Sequence, residues 1–283
     1  MKIRNRYGAL ILAGIFFGST GTAQALGPKG ISPMAVGSAR LLCGAFLLWL
    51  FTRFMPRTIQ KLDKRDLWLA AIGMALYQLA FFAAVKSTGV AIGTVTALGS
   101  APALTGIIAF ILTREKPSRS WLIATSITTV GIFALSSNKG FSQFNLLGFT
   151  LAICAGASYS LFAVASKRAL AMGVGIAEAM TQIFILSAIL DLPFLFAGGS
   201  SRLISVHGFL LVLWLGLVPT ALAYLAYAYG LHGVRASTAS TLILAEPATA
   251  TLLAAAILHE HINVQGWIGI AIIASGLLYL SRE

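Results

Sequence analysis

The sequence predicts an all-α polytopic membrane protein, with ten transmembrane helices arranged as two inverted five-helix repeats. Three observations carry the prediction. The 283 residues are 58% hydrophobic and 10% charged, with a mean hydropathy of +0.88, whereas a soluble domain carries roughly a quarter charged residues. Ten apolar runs follow one another, most of about 20 residues, the length that spans roughly 30 Å of hydrocarbon at about 1.5 Å per helical residue. The second half also repeats landmarks of the first at a constant offset.

The first span covers about residues 7–26. Lys2, Arg4 and Arg6 before it, and Ala23, Gln24 and Ala25 near its end, imitate a secretory signal with its cleavage site. The repeat needs this segment as a helix, so it is read as a retained span. Gly14 and Gly18, four apart, offer a face that another helix can approach closely. Gly27, Pro28, Gly30 and Pro33 end it, and span two covers about 34–54. A basic loop holds Arg53, Arg57, Lys61, Lys64 and Arg65. Span three runs from Asp66 to about Lys86, and span four covers about 90–113 with Pro102 at its centre. Arg114 to Arg119 break the chain before span five, 121–136, and a polar linker, 137–143, precedes span six, 146–166. Spans seven, eight, nine and ten cover about 177–197, 208–231, 236–258 and 267–280.

The formal net charge is +12, which in a soluble chain would suggest nucleic acid. Here the cations are sorted by loop. With the N-terminus in the cytoplasm, the inside segments hold Lys2, Arg4, Arg6, the five cations of the basic loop, Arg114, Lys116, Arg119, Lys167, Arg168, Arg235 and Arg282; outside stand Lys29, Lys86, Lys139 and Arg202. This bias follows the positive-inside rule and predicts both termini in the cytoplasm, with no nucleic-acid partner. Cys43 and Cys154 both lie in apolar runs and read as small buried hydrophobes, not as a disulfide or metal site.

An offset of 145 positions lays Thr96 on Thr241, Pro102 on Pro247, Glu115 on Glu260, Gly131 on Gly276 and Ser136 on Ser281 without gaps. Each half, 1–140 and 141–283, then holds five spans. An odd number forces the second copy to enter the membrane from the opposite side, the inverted arrangement of many secondary transporters.

The stretch ILHEHINVQGWIGIAIIASGLLYLS, 257–281, is an apolar helix, a closing glutamate, a short polar loop and a glycine-spaced last helix. It resembles the end of an EamA repeat. Glu246 and Pro247 with small residues after them, and Arg40 early in span two, resemble that family as well. The resemblance to the EamA branch of the drug/metabolite transporter superfamily covers nearly the whole chain. It departs from the pattern where Ala101 occupies the place matching Glu246. What it implies is a ten-helix exporter, without cofactor, in a bacterial cytoplasmic membrane, as a monomer or weak dimer. Its central cavity would be lined mainly by helices other than the fifth and tenth. Members export amino acids, amines and other metabolites.

Candidate residues follow from what is polar at mid-depth. Glu246 costs on the order of 2.5–3.5 kcal/mol in hydrocarbon and must face protein or water. It would bind a substrate ammonium or exchange a coupling proton; the alternative is a buried ion pair with Arg40. Arg40 in turn would receive a substrate carboxylate or serve that pair. Tyr77 and Gln78 in span three, with Tyr224 and Tyr227 three apart on one face of span eight, offer rings and polar tips to a substrate, or simply pack. Tyr229 points away from that pair, towards lipid. Ser158, with Tyr159 and Ser160, and likewise Ser19, Thr20 and Gln24, would line the cavity; the alternative, commoner for serine and threonine, is a bond to their own helix backbone. Pro102 and Pro247 read as a repeat-related pair of hinges, the alternative being two static kinks. His259, Glu260 and His261 do not share a helix face and read as a solvated loop, with no metal site. Asp191 reads as an interfacial helix end. No serine elbow, facing carboxylates or charged ring points to an enzyme or channel. One deep acid, one deep base and several tyrosines suit amino acids or amphipathic amines; phosphorylated substrates would call for more deep cations. Other metabolites or drugs of the same superfamily are the alternative.

Overall fold

A computed structural model describes residues 2–54, 60–137 and 145–282. Arg57 and Lys139, counted above by loop, lie outside them. The described residues form helices without strands. These are α1 (Lys2–Leu26), α2 (Pro33–Thr52), α3 (Lys64–Thr113), α4 (Arg119–Ser137), α5 (Leu146–Ala171), α6 (Ile176–Asp191), α7 (Val206–Gly216), α8 (Ala223–Gly233), α9 (Ala236–Leu242), α10 (Ala245–Leu258) and α11 (Val264–Ser281). Among the described residues nine helical segments are long and apolar enough to cross a membrane; the tenth, Arg119–Leu135, is apolar but shorter.

Three elements differ from the sequence expectation. Spans three and four, expected as separate helices, are joined in α3 by an uninterrupted helical connection. A straight helix would place Leu112 about 69 Å from Asp66. Yet Arg168 reaches both, with Nε 3.0 Å from Asp66 Oδ1 and Nη1 donating to Leu112 O at 3.4 Å. So α3 folds back into two antiparallel arms, Lys64–Thr88 and Ile92–Thr113.

Span eight is not one regular helix either. A π-helical turn, Leu217–Leu222, joins α7 to α8 around Pro219. Proline removes the donor that would meet the Leu215 carbonyl, and the Thr220 hydroxyl takes that carbonyl instead at 2.7 Å.

Span nine is broken at Ile243 and Leu244. Pro247 is therefore the third residue of α10, where a backbone donor has no intrahelical acceptor to lose. The Ile243 carbonyl, which a regular helix would direct at residue 247, accepts from the Glu246 nitrogen at 2.8 Å. Pro102, by contrast, sits inside continuous helix.

The packing exchanges the first helix of each half. Helix α5 lies along both arms of α3: a Cβ at Gly73 would stand 2.7 Å from the Phe162 nitrogen, and one at Gly156 2.9 Å from Ala97 O. Helix α1 lies instead on α8 and α10, with Gly18 2.9 Å from Glu246 O by the same measure and Gly230 2.8 Å from Arg6 O. Two bodies result, α3 with α5 and α1 with α8–α10. Between them α2 packs on α6, where Ser38 Oγ donates to Asp191 O at 2.8 Å.

Helices α4 and α11 pair at the side. Gly131 meets the Gly269 carbonyl and Gly276 meets the Ala124 carbonyl. Adding 145 to Ala124 and Gly131 gives Gly269 and Gly276, so each contact is the repeat image of the other.

Candidate functional site

The two bodies face each other at mid-depth, and there the polar residues converge. Arg40 in α2 is 8% exposed and Gln78 in the first arm of α3 is 3% exposed. Arg40 Nη2 donates to Gln78 Oε1 at 3.2 Å. Arginine has only donors, so this bond fixes the amide with its oxygen towards Arg40, and its nitrogen packs against Gly37 of α2. Arg40 Nε and Gln78 Nε2 are then two buried donors without a hydrogen-bond partner.

Glu246 lies in the first turn of α10, immediately after the break in span nine. Arg40, Tyr77 and Tyr224 are all within electrostatic range of its carboxyl. The Arg40–Glu246 ion pair that the sequence left open is not formed among the described residues, where the salt bridge present joins Arg168 to Asp66. Glu246 and Tyr77 are half-buried and stand on the two facing bodies, in α10 and the first arm of α3. A discontinuous helix whose half-helix begins at mid-depth beside an acid is a recurrent transporter arrangement.

Around this polar centre runs a chain of rings. Tyr77 lies 5.4 Å from Tyr159, Tyr159 6.4 Å from Tyr227, and Tyr227 6.1 Å from Tyr224. Tyr224 packs on Phe17 at 4.8 Å and Phe184 at 4.5 Å, and its hydroxyl approaches Met74 Sδ at 3.7 Å. The hydroxyls of Tyr159 and Tyr227 are buried without an aligned hydrogen bond.

Six of the seven expected binding residues thus share one cluster: Glu246, Tyr77, Gln78, Tyr224, Tyr227 and Arg40. Ser158 does not. It opens sideways into an apolar groove with Ile108, Ile111, Leu112, Ala157 and Leu161. One position further round α5, Tyr159 takes the place expected of it. Ser160 is consumed by hydrogen bonds to Gly156 O at 2.7 Å and Ala101 O at 2.9 Å. Ser19 likewise bonds its own backbone, to Phe16 O at 2.8 Å.

Two further expectations are corrected. Asp191 is 1% exposed and not interfacial, because α2 covers the end of α6. Cys154 is exposed on the outer surface, though Cys43 is half-buried against Gly216. Tyr229, at 45% exposure, does point outward.

The bodies touch unevenly. On the side that carries both termini, Thr105 Oγ1 meets Ser240 Oγ at 2.9 Å, and Lys167 Nζ donates to Leu231 O and Val234 O at 2.9 and 2.6 Å. Towards the other side α10 packs chiefly on α1, within its own body. The structure is therefore closed on the terminus-bearing side.

Comparison with known proteins agrees with this architecture. Residues 6–137 and 146–282 each match the profile described as the EamA-like transporter family. An uncharacterized transporter of Bacillus subtilis strain 168, YwfM, is 38% identical over 276 residues, covering 96% of this chain and 92% of that protein. An uncharacterized transporter of Clostridium kluyveri is 26% identical over 97% of this chain and 92% of its own length. A solved crystal structure superposes with a TM-score of 0.82 over 97% of this chain and 95% of the other, at 19% identity, a likeness of fold alone.

Proposed function

Because this chain belongs to the EamA-like transporter family, we propose that it exports amino acids or related amphipathic amines by alternating access. The observation that carries the substrate reading is the pair of buried, unpartnered donors, Arg40 Nε and Gln78 Nε2, with Arg40 in electrostatic range of the Glu246 carboxyl. A buried donor left unmet costs about 1–3 kcal/mol, which a substrate carboxylate would recover. Glu246 would then take the ammonium group. Tyr77, Tyr159, Tyr224 and Tyr227 would stack on the apolar body. Among the central residues Arg40 supplies the cation, too little for a phosphorylated substrate.

Opening on alternate sides follows from the two bodies turning about the α2–α6 seam. Pro102 and the break before Pro247 are the hinges of this scheme, one in each body. Protons are the proposed coupling ion, the bacterial cytoplasmic membrane the proposed location, and a monomer or weak dimer the working unit.

Purified protein in liposomes with an imposed pH gradient, tested against amino acids, their decarboxylated amines and phosphorylated metabolites, decides the reading. Concentration of amino acids or amines is expected. Movement of phosphorylated compounds alone would overturn it.

A further inference from the structure

Among the described residues, few polar contacts join the two bodies on the terminus-bearing side, and one residue dominates them. We infer that Lys167 is the pin of the gate on that side, holding it shut through the carbonyls at the end of α8 and releasing it by passing to Glu115. The inference rests on the alternating-access reading above, and adds the element that switches.

Lys167 Nζ donates to Leu231 O at 2.9 Å, to Val234 O at 2.6 Å and to His232 O at 3.5 Å. The last carbonyls of a helix have no intrahelical donor, and an ammonium offers three. It also complements the negative end of the α8 dipole. These contacts join the two bodies, since Lys167 belongs to α5 and the carbonyls to α8 and the turn after it.

The adjacent Arg168 is bound within its own body, to Asp66 and to the Leu112 carbonyl. It fixes the end of α5 on α3, so Lys167 cannot follow α8 when the bodies separate. The ammonium must then exchange acceptors. Glu115, just beyond the second arm of α3 in the same body, already lies within electrostatic range of Lys167. Arg6, which stands on α1 in the opposite body, is in range too and repels it. Closed, Lys167 sits on α8 beside a like charge; open, it sits on Glu115 away from that charge. Two discrete arrangements of one side chain, each favoured by a different body, are what a bistable gate requires.

Ser240, 2% exposed where the bodies meet on this side, serves as reporter when replaced by cysteine in a background with Cys43→Ala and Cys154→Ala. A membrane-impermeant thiol reagent is applied from the terminus-bearing side without substrate. Lys167→Met should raise the labelling rate roughly fivefold or more, in the range of ordinary coupling energies. Glu115→Gln should lower it, and Lys167→Arg should stay near the parent. General destabilisation would instead raise labelling in every variant. Equal labelling in Lys167→Met and the parent, or shifts of the same sign in Lys167→Met and Glu115→Gln, would overturn the inference. Bridging Lys167→Cys to Val234→Cys with a cleavable bifunctional reagent should stop exchange until the linker is cut; exchange that continues across the bridge also overturns it. Labelling needs no transported compound, so a failed substrate panel leaves this result readable.

Discussion

Arg40 holds Gln78 by one hydrogen bond and stands in electrostatic range of Glu246 without touching it. That geometry separates two roles that the sequence could not distinguish. A closed Arg40–Glu246 pair would neutralise both groups, whereas the separated groups leave, on the proposed reading, a base and an acid for the two ends of a substrate. Gln78→Leu removes one donor and the acceptor that orients Arg40. Loss of a hydrogen bond to a charged group costs about 1.5–3 kcal/mol, so substrate affinity should fall roughly 10- to 100-fold, measured by calorimetry, and amines without a carboxylate should lose far less. If Glu246 also carries the coupling proton, Glu246→Gln should abolish uphill movement driven by a pH gradient while exchange continues. An unchanged pH dependence would remove Glu246 from that role. At this scale the sequence made the cluster legible because charged and phenolic groups at mid-depth are rare and costly. It misplaced Ser158 because which side of α5 faces inward depends on α3, which buries Gly73 against the backbone of Ser158 and Phe162.

Elements were legible where composition punctuates them and obscure where the backbone compensates locally. Gly14 and Gly18 announced a close helix neighbour, and α10 fills the place. Replacing Gly18 by alanine sets a Cβ 2.8 Å from Thr249 Cβ and 2.9 Å from the Glu246 carbonyl. Overpacking of this kind typically costs 1–3 kcal/mol. Gly18→Ala should therefore lower the melting temperature in detergent and shift the start of α10, weakening substrate binding through the displaced Glu246. Gly8→Ala, where an added Cβ meets nothing within 4 Å, is the control and should melt like the parent. The two prolines were legible as a pair but not as unequal: one interrupts a helix interior, the other opens a new helix after a break. Pro219 drew no attention in the sequence, since its π-turn depends on the Thr220 hydroxyl capturing Leu215 O. Nor could periodicity reveal that spans three and four are joined by helical backbone, because a tight connection between two apolar runs carries no separate signal.

For the whole molecule, the offset of 145 positions proved the most informative feature of the sequence. It appears in space as the reciprocal glycine contacts of α4 and α11, where one repeat's carbonyl meets the other's glycine. Orientation across the bilayer remains an expectation from the cation bias. Lys61→Cys should be protected from an external impermeant thiol reagent in intact cells, and Ser200→Cys should react; the reverse pattern would invert the topology. What no offset displays is the exchange of first helices, because a repeat specifies which segments are alike and not which of them touch. That exchange bears on how the chain is made. The glycine face of α1 enters the membrane before the surface that covers it, α8 and α10, which is translated only after α2 to α7. Until then α1 must be sheltered by lipid or by the insertion machinery. The first five spans, although they match a family repeat by themselves, are the unfinished half of an assembly that closes only when α8 and α10 have met α1.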